Sequence, residues 1–171
     1  MIELRGNMWA YVGGVDVIGV TTNGFVKKGG LAVMGRGCAK QASEHYKDLS
    51  LILGSRLLSH GNIPHYLLTD NGTDLWSFPV KLARVRFDGS NVVSHMCDQF
   101  TIGESVPGWA SIADRNLIRE SAISLVKAAD RFLWSKVLLP RPGCGAGELS
   151  WEIVRRDLSE ILDNRFAIIT Y

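Results

Sequence analysis

The stretch Thr22–Cys38, TNGFVKKGGLAVMGRGC, carries five glycines in a run that otherwise reads as buried chain. Glycine admits positive φ and lets the backbone approach a ligand or another segment closely, at a cost in chain entropy. A loop this rich in glycine needs a role that offsets the cost. Upstream, VDVIGVTT (15–22) is a near-continuous β-branched run, the pattern of a strand buried on both faces, and it ends in the turn pair Asn23-Gly24. Downstream, residues 38–60 space their apolar positions as a helix does, with Ala42, Leu49, Ile52, Leu53 and Leu57 expected to be buried. The local unit is strand, glycine loop, helix.

Further along, the chain repeats this logic. PHYLLTDNGTDLWSFP (64–79) reads as two strands around Asn71-Gly72, a strong hairpin signal. Residues 114–133, DRNLIRESAISLVKAADRFL, form the clearest amphipathic helix, with Leu117, Ile118, Ala122, Leu125, Val126, Ala129 and Phe132 on one stripe and Asp114 as its cap. KVLLP (136–140) is a strand that ends in a second glycine loop, RPGCGAGELSW. Ser150 then caps a last helix with Trp151, Val154, Leu158, Ile161 and Leu162 on one face, and FAIITY (166–171) is a closing strand. This alternation predicts a single α/β domain over 1–171, a mixed central sheet with helices on both faces. Residues 82–113 sustain no period and are expected to form a long insertion or lid.

Composition narrows the function classes. A 171-residue chain with 46% hydrophobic and 21% charged residues can bury a proper core, and a net charge of +2 gives no global basic grip on nucleic acid. Cys38, Cys97 and Cys144 are odd in number and widely spaced, which suits a reducing, cytoplasmic setting rather than a disulfide framework. His45, His60, His65 and His95 lack ligand spacing, so no metal and no cofactor is expected. No window reaches the roughly 18 apolar residues of a membrane span, and a monomer with no membrane partner is expected.

Both glycine loops follow a strand and precede a helix. In such sheets, ligands sit in the crevice beyond the carboxyl ends of the strands, so the two loops would face one site. Free amides in front of a helix N-terminus suit phosphate oxygens, and two loops suggest two phosphates. Neither GxxxxGK[ST] nor a strand–GxGxxG–helix unit is present.

Taken together, VDVIGVTTNG…AVMGRGCAKQA, WSFPVK and LPRPGCGAGELSWE resemble the macro domain family, an ADP-ribose-binding α/β sandwich of three layers, over nearly the whole chain. Within it, VMGRGCAKQ, FPVK and GCGAGELSW are most similar to the branch that removes ADP-ribose from DNA bases, and to hydrolases that release it from glutamate side chains. The resemblance implies that Asn23 contacts the distal ribose, with Thr22 and Gly24 beside it. It implies that Val33, Met34, Gly35, Arg36, Gly37 and Cys38 bind phosphate through their amides, and that Pro142, Gly143, Cys144, Gly145, Ala146, Gly147 and Glu148 wrap the diphosphate and distal ribose. Asn7, next to Met8, stands where the family has an aspartate for the adenine amino group, and Tyr171 is placed to stack on the adenine. Lys81 falls where the branch places a lysine near the anomeric carbon, as a nucleophile or to orient the leaving group, with Asn23 as the second candidate catalytic residue.

Two departures bear on chemistry. The glutamate-directed hydrolases have an aspartate where this chain has Gly147, and their His-Trp after the lysine is replaced by LARVRF. Lys81, Arg84 and Arg86 form a short basic run that a nucleic-acid substrate would use. The resemblance leaves three activities open: hydrolysis of ADP-ribose from a modified base or protein, removal of phosphate from ADP-ribose 1''-phosphate, and binding without turnover.

Overall fold

The computed structural model describes all residues 1–171. Its elements are β1 (Ile2–Arg5), β2 (Val17–Asn23), α1 (Gly37–His45), α2 (Leu49–His60), β3 (Tyr66–Asp70), β4 (Thr73–Lys81), β5 (Arg84–Arg86), β6 (Ser105–Pro107), α3 (Arg115–Phe132), β7 (Val137–Pro140), α4 (Trp151–Ser159) and β8 (Phe166–Thr170). Short 3-10 turns stand at Met8–Tyr11, Ser94–Gln99 and Gly108–Ala110. Six strands form one mixed sheet in the order β1-β8-β7-β2-β4-β3, parallel throughout except for β3, which runs antiparallel to β4.

The β-branched run becomes the central strand because both its faces are covered. On one face, Val17 joins Phe78, Leu125, Leu139, Val154 and Phe166 in a core roofed by α3 and α4. On the other, Val20 packs with Ala42, Leu49, Leu53, Leu57 and Leu75 beneath α1 and α2. Each of these Val, Leu and Phe side chains contributes about 1.5–3 kcal/mol over exposure. The α/β sandwich with helices on both faces is thus the architecture that the strand and helix periods require. No helix is long and apolar enough to cross a membrane.

Three local features differ from the sequence reading. Residues 38–60 form two helices, because Tyr46 turns extended and its hydroxyl donates to Asp70 on β3 at 2.8 Å, a tertiary bond that stops α1. Strand β1 has no counterpart in the sequence reading, since the alternation of Ile2 and Leu4 with Glu3 and Arg5 lasts only four residues on an exposed edge. Phe132, expected in the buried stripe of α3, is about half exposed and stacks on Trp134 instead. Asp114 caps α3 as expected, its carboxylate accepting from the Leu117 amide at 2.8 Å. Ser150 occupies the cap position of α4, but its hydroxyl bonds Glu152 rather than a helix amide.

Residues 82–113 are not loose coil. Strands β5 and β6 pair antiparallel, and Phe87, Val92, Val106 and Ala110 form a small separate core. Gly108 anchors this unit to the sheet, since a Cβ there would lie 1.6 Å from the Leu82 carbonyl oxygen.

Close backbone approach also fixes the first glycine loop. A Cβ on Gly54 of α2 would lie 1.9 Å from the Gly30 carbonyl oxygen. Gly54→Ala is expected to cost about 2 kcal/mol or more through this overpacking, read as a lower urea midpoint with an unchanged slope.

Candidate functional site

At the carboxyl ends of β2, β4, β7 and β8 lies a cavity of about 580 Å³. Residues from both glycine loops, from the 82–113 segment and from the end of β8 line it. This is where a sheet of this type leaves a crevice.

The first loop is tied down from within. The Asn23 side chain donates to the Val33 carbonyl at 2.8 Å and accepts from the Phe25 amide at 3.0 Å. These bonds bend the loop so that Gly35, Arg36 and Gly37 border the cavity. Gly37 opens α1 at φ +55°, a left-handed conformation that favours glycine. No side chain caps α1, so its first-turn amides stay available to a ligand anion. Cys38 lines the cavity next to them, its sulfur 3.0 Å from the Thr21 hydroxyl, and burial pushes its thiol pKa up.

Gly143, Gly145, Ala146 and Gly147 of the second loop line the opposite wall. A Cβ on Gly143 (φ +74°) would lie 2.8 Å from Ile118 Cδ1 and 2.9 Å from Ala113 Cβ, and one on Gly147 would lie 2.5 Å from the Gly143 carbonyl oxygen and 2.7 Å from Ala113 Cβ. Gly147 therefore has no room for a side chain.

Lys81 ends β4 between the two loops. The pairing of β2 with β4 slips after Thr22↔Pro79, so that Asn23 pairs with Lys81 and Val80 is left over. Pro79, which has no amide hydrogen, suits such a bulge, and bulges re-aim side chains. Lys81 is only 6% exposed, and its Nζ donates to the Ala146 carbonyl at 2.8 Å and to the Trp109 carbonyl at 3.2 Å. Burial lowers its pKa to about 8; Glu148 opposes that shift, and Arg36 adds to it.

Met8, Thr22, Asn23, Val33, Gly35, Arg36, Gly37, Cys38, Lys81, Gly143, Gly145, Ala146, Gly147 and Tyr171 all border the cavity. The other expected site residues are not among those that line it. Met34 turns into the α1/α2 core, Gly24 packs on Asn62 and Ala83, and Pro142 is buried behind the loop. Cys144 packs on the α3/α4 core, and its burial pushes the thiol up to about 11. Glu148 turns outward and accepts from the Ser94 amide and hydroxyl, the latter at 2.7 Å. Asn7 stands just outside the lining, capping the turn at Met8–Tyr11 through the Trp9 amide and accepting from the Tyr171 hydroxyl at 3.3 Å. The basic run is also broken up. Lys81 is buried, Arg84 lies over the Phe25 ring at 5.1 Å, and Arg86 donates to the Gly103 carbonyl at 2.7 Å.

Sequence reasoning missed Gln41, Val93, His95, Met96 and Arg141, which line the cavity. Gln41 sits on the same face of α1 as Cys38, three residues away, and this spacing could have found it. His95 and Met96 arrive from the 82–113 segment, where no pattern in the sequence marks them.

Solved structures share this fold. The macrodomain of Thermus aquaticus DarG matches with a TM-score of 0.67 at 17% identity, over 99% of this chain and 97% of that one. The chain has the macrodomain fold. The Mycobacterium tuberculosis DarG macrodomain matches at 0.66 and 16%, over 99% and 98% of the two chains. Thermosipho africanus DarTG, solved in complex with ADP-ribose, matches at 0.67 and 16%, over 99% of this chain and 41% of its own. No family model and no curated protein matches the sequence, so the likeness is one of fold. In this chain no group of three or more His, Cys, Asp or Glu side chains is placed to hold a metal ion.

Proposed function

We propose that this macrodomain binds ADP-ribose and hydrolyses the bond joining it to a modified macromolecule, with an ADP-ribosylated DNA base as the leading substrate. The observation that carries the reading is Lys81, a buried amine held between two glycine loops at the floor of a nucleotide-sized cavity. The diphosphate would meet the uncapped start of α1 and the amides of Gly145–Gly147. The adenine would lie toward Tyr171 and Asn7, and the distal ribose toward Asn23 and Lys81. Thermosipho africanus DarTG, which has the same fold, is solved in complex with ADP-ribose, and this supports ADP-ribose as the ligand.

The amine is suited to attack at the anomeric carbon. An ammonium has three N–H donors and a neutral amine two plus a lone pair. Two donors are engaged by the Ala146 and Trp109 carbonyls, so on deprotonation the lone pair is what remains for the cavity. With a pKa of about 8, the neutral form is accessible near physiological pH. The 82–113 segment would serve as a roof over the reacting end. Three free thiols suit a cytoplasmic setting.

One observation favours a rival reading. No carboxylate lines the cavity, and this suits a reader that binds ADP-ribose without turnover. A panel of ADP-ribosylated oligonucleotide, ADP-ribosylated protein and ADP-ribose 1''-phosphate separates these activities. Product from the oligonucleotide supports the reading, whereas product from the 1''-phosphate alone, or none from any substrate, overturns it. Binding itself has a separate test. Free ADP-ribose at about 100 times its Kd adds about 2.7 kcal/mol of stability, which raises Tm by roughly 5–10 °C for a chain of this size. An unchanged melting curve at millimolar ligand would remove ADP-ribose as the ligand.

A further inference from the structure

If the hydrolase reading holds, the leaving atom needs a proton, and the second loop cannot supply it. Gly147 has no room for an acid, and the titratable side chains lining the cavity are Arg36, Cys38, Lys81, His95, Arg141 and Tyr171. Imidazole is the side chain suited by nature to change charge between pH 5 and 8. Burial raises the Cys38 thiol, and a guanidinium does not give up its proton.

The placement of His95 is held by bonds rather than by chance. The Ser94 amide donates to both Glu148 oxygens at 3.0 Å, and its hydroxyl donates at 2.7 Å. Glu148 lies two residues beyond Ala146, whose carbonyl holds the Lys81 amine at 2.8 Å. Trp109, from the same roof segment as His95, holds that amine from the other side. Glu148 itself sits at φ +57°, an uncommon conformation for a residue with a side chain, and its bonds to Ser94 keep it there. The tether thus fixes His95 and Lys81 to one frame. His95 is solvent-exposed at the cavity mouth, where it can be reprotonated between turnovers.

We infer that His95 is the general acid of the reaction, with the Ser94–Glu148 tether as its positioning element. This inference rests on the hydrolase reading above. In the first step, the neutral Lys81 amine forms a bond to C1'', the bond from C1'' to the leaving atom breaks with its electron pair on that atom, and the atom takes the imidazolium proton. In the second, a water oxygen bonds to C1'', the C1''–N bond returns its pair to Lys81, and neutral His95 takes the water proton. The cycle closes with ADP-ribose released and both residues restored. The groups facing His95 are Glu148 from the second loop, Lys81 from β4 and Arg36 across the cavity, with Asp98 on its own turn.

The test compares His95→Gln with wild type on two substrates: an ADP-ribosylated single-stranded oligonucleotide, and ADP-ribose carrying 4-nitrophenol at C1'', whose leaving oxygen needs no proton. The expected result is a loss of about 100-fold or more on the oligonucleotide, with unchanged Tm and ADP-ribose affinity. First-turnover release of 4-nitrophenolate stays near the wild-type rate, because that step does not need the acid. Equal losses on both substrates, or none on either, would overturn the role of His95 while leaving the hydrolase reading in place. A wild type that binds ADP-ribose but turns over neither substrate overturns the hydrolase reading, and the general acid with it.

Discussion

Lys81→Ala is expected to lower turnover on ADP-ribosylated DNA by about 10³-fold, roughly 4 kcal/mol of transition-state stabilisation, while ADP-ribose affinity changes by less than about threefold. The separation follows from the geometry of the site. Loop amides would hold the diphosphate in ground and transition states alike, whereas the amine acts on a carbon whose bonding changes only in the reaction. Removing the side chain also frees the Ala146 and Trp109 carbonyls, so Lys81→Met, which keeps the apolar stem, is the companion variant. Its Tm should fall less than that of Lys81→Ala, because the thioether side chain fills the space of the lysine stem while the same two carbonyls lose their donor. The amine reacts when neutral and its pKa is lowered to about 8. On the 4-nitrophenyl substrate the wild-type first-turnover rate should therefore rise about tenfold per pH unit below pH 8 and level off above it. Wild-type-like turnover in the alanine variant would remove Lys81 from the mechanism and direct attention to Asn23 as a holder of water.

The second large effect concerns binding. Gly145→Val is expected to weaken ADP-ribose at least about 100-fold while leaving the fold intact, because Gly145 has an ordinary φ, open space around its Cβ position, and a place on the cavity wall. A branched side chain there would fill the volume of the diphosphate and block its approach to the amides. Gly37→Val is the instructive contrast. It also has room, but its φ of +55° is strained for a β-branched residue, so binding and Tm should fall together. Calorimetric titration beside thermal melts separates the two variants. Undiminished affinity in Gly145→Val would mean that the second loop is only a turn.

The layers of this fold were legible in the sequence because they follow from local periods. VDVIGVTT could only be a strand covered on both faces, 114–133 could only be a helix with one apolar stripe, and Asn71-Gly72 could only be a tight turn between strands. Both glycine loops could be singled out for the same reason, each falling just past the end of such a strand, whereas Lys81 was marked only by the resemblance to the macro domain family. Sequence did not determine which residues of those loops face the ligand. Met34 and Cys144 turn into opposite cores, since burying their apolar side chains outweighs keeping them beside a polar cavity, and no local pattern records which core is near. Nor did it reveal that Lys81 would be buried, because this depends on a slipped β2/β4 register and on two carbonyls brought from residues 109 and 146. His95 is the extreme case. It reaches the cavity through a segment without periodicity, held by a bond between Ser94 and Glu148, and an interaction spanning 54 positions leaves no trace in the spacing of neighbouring residues.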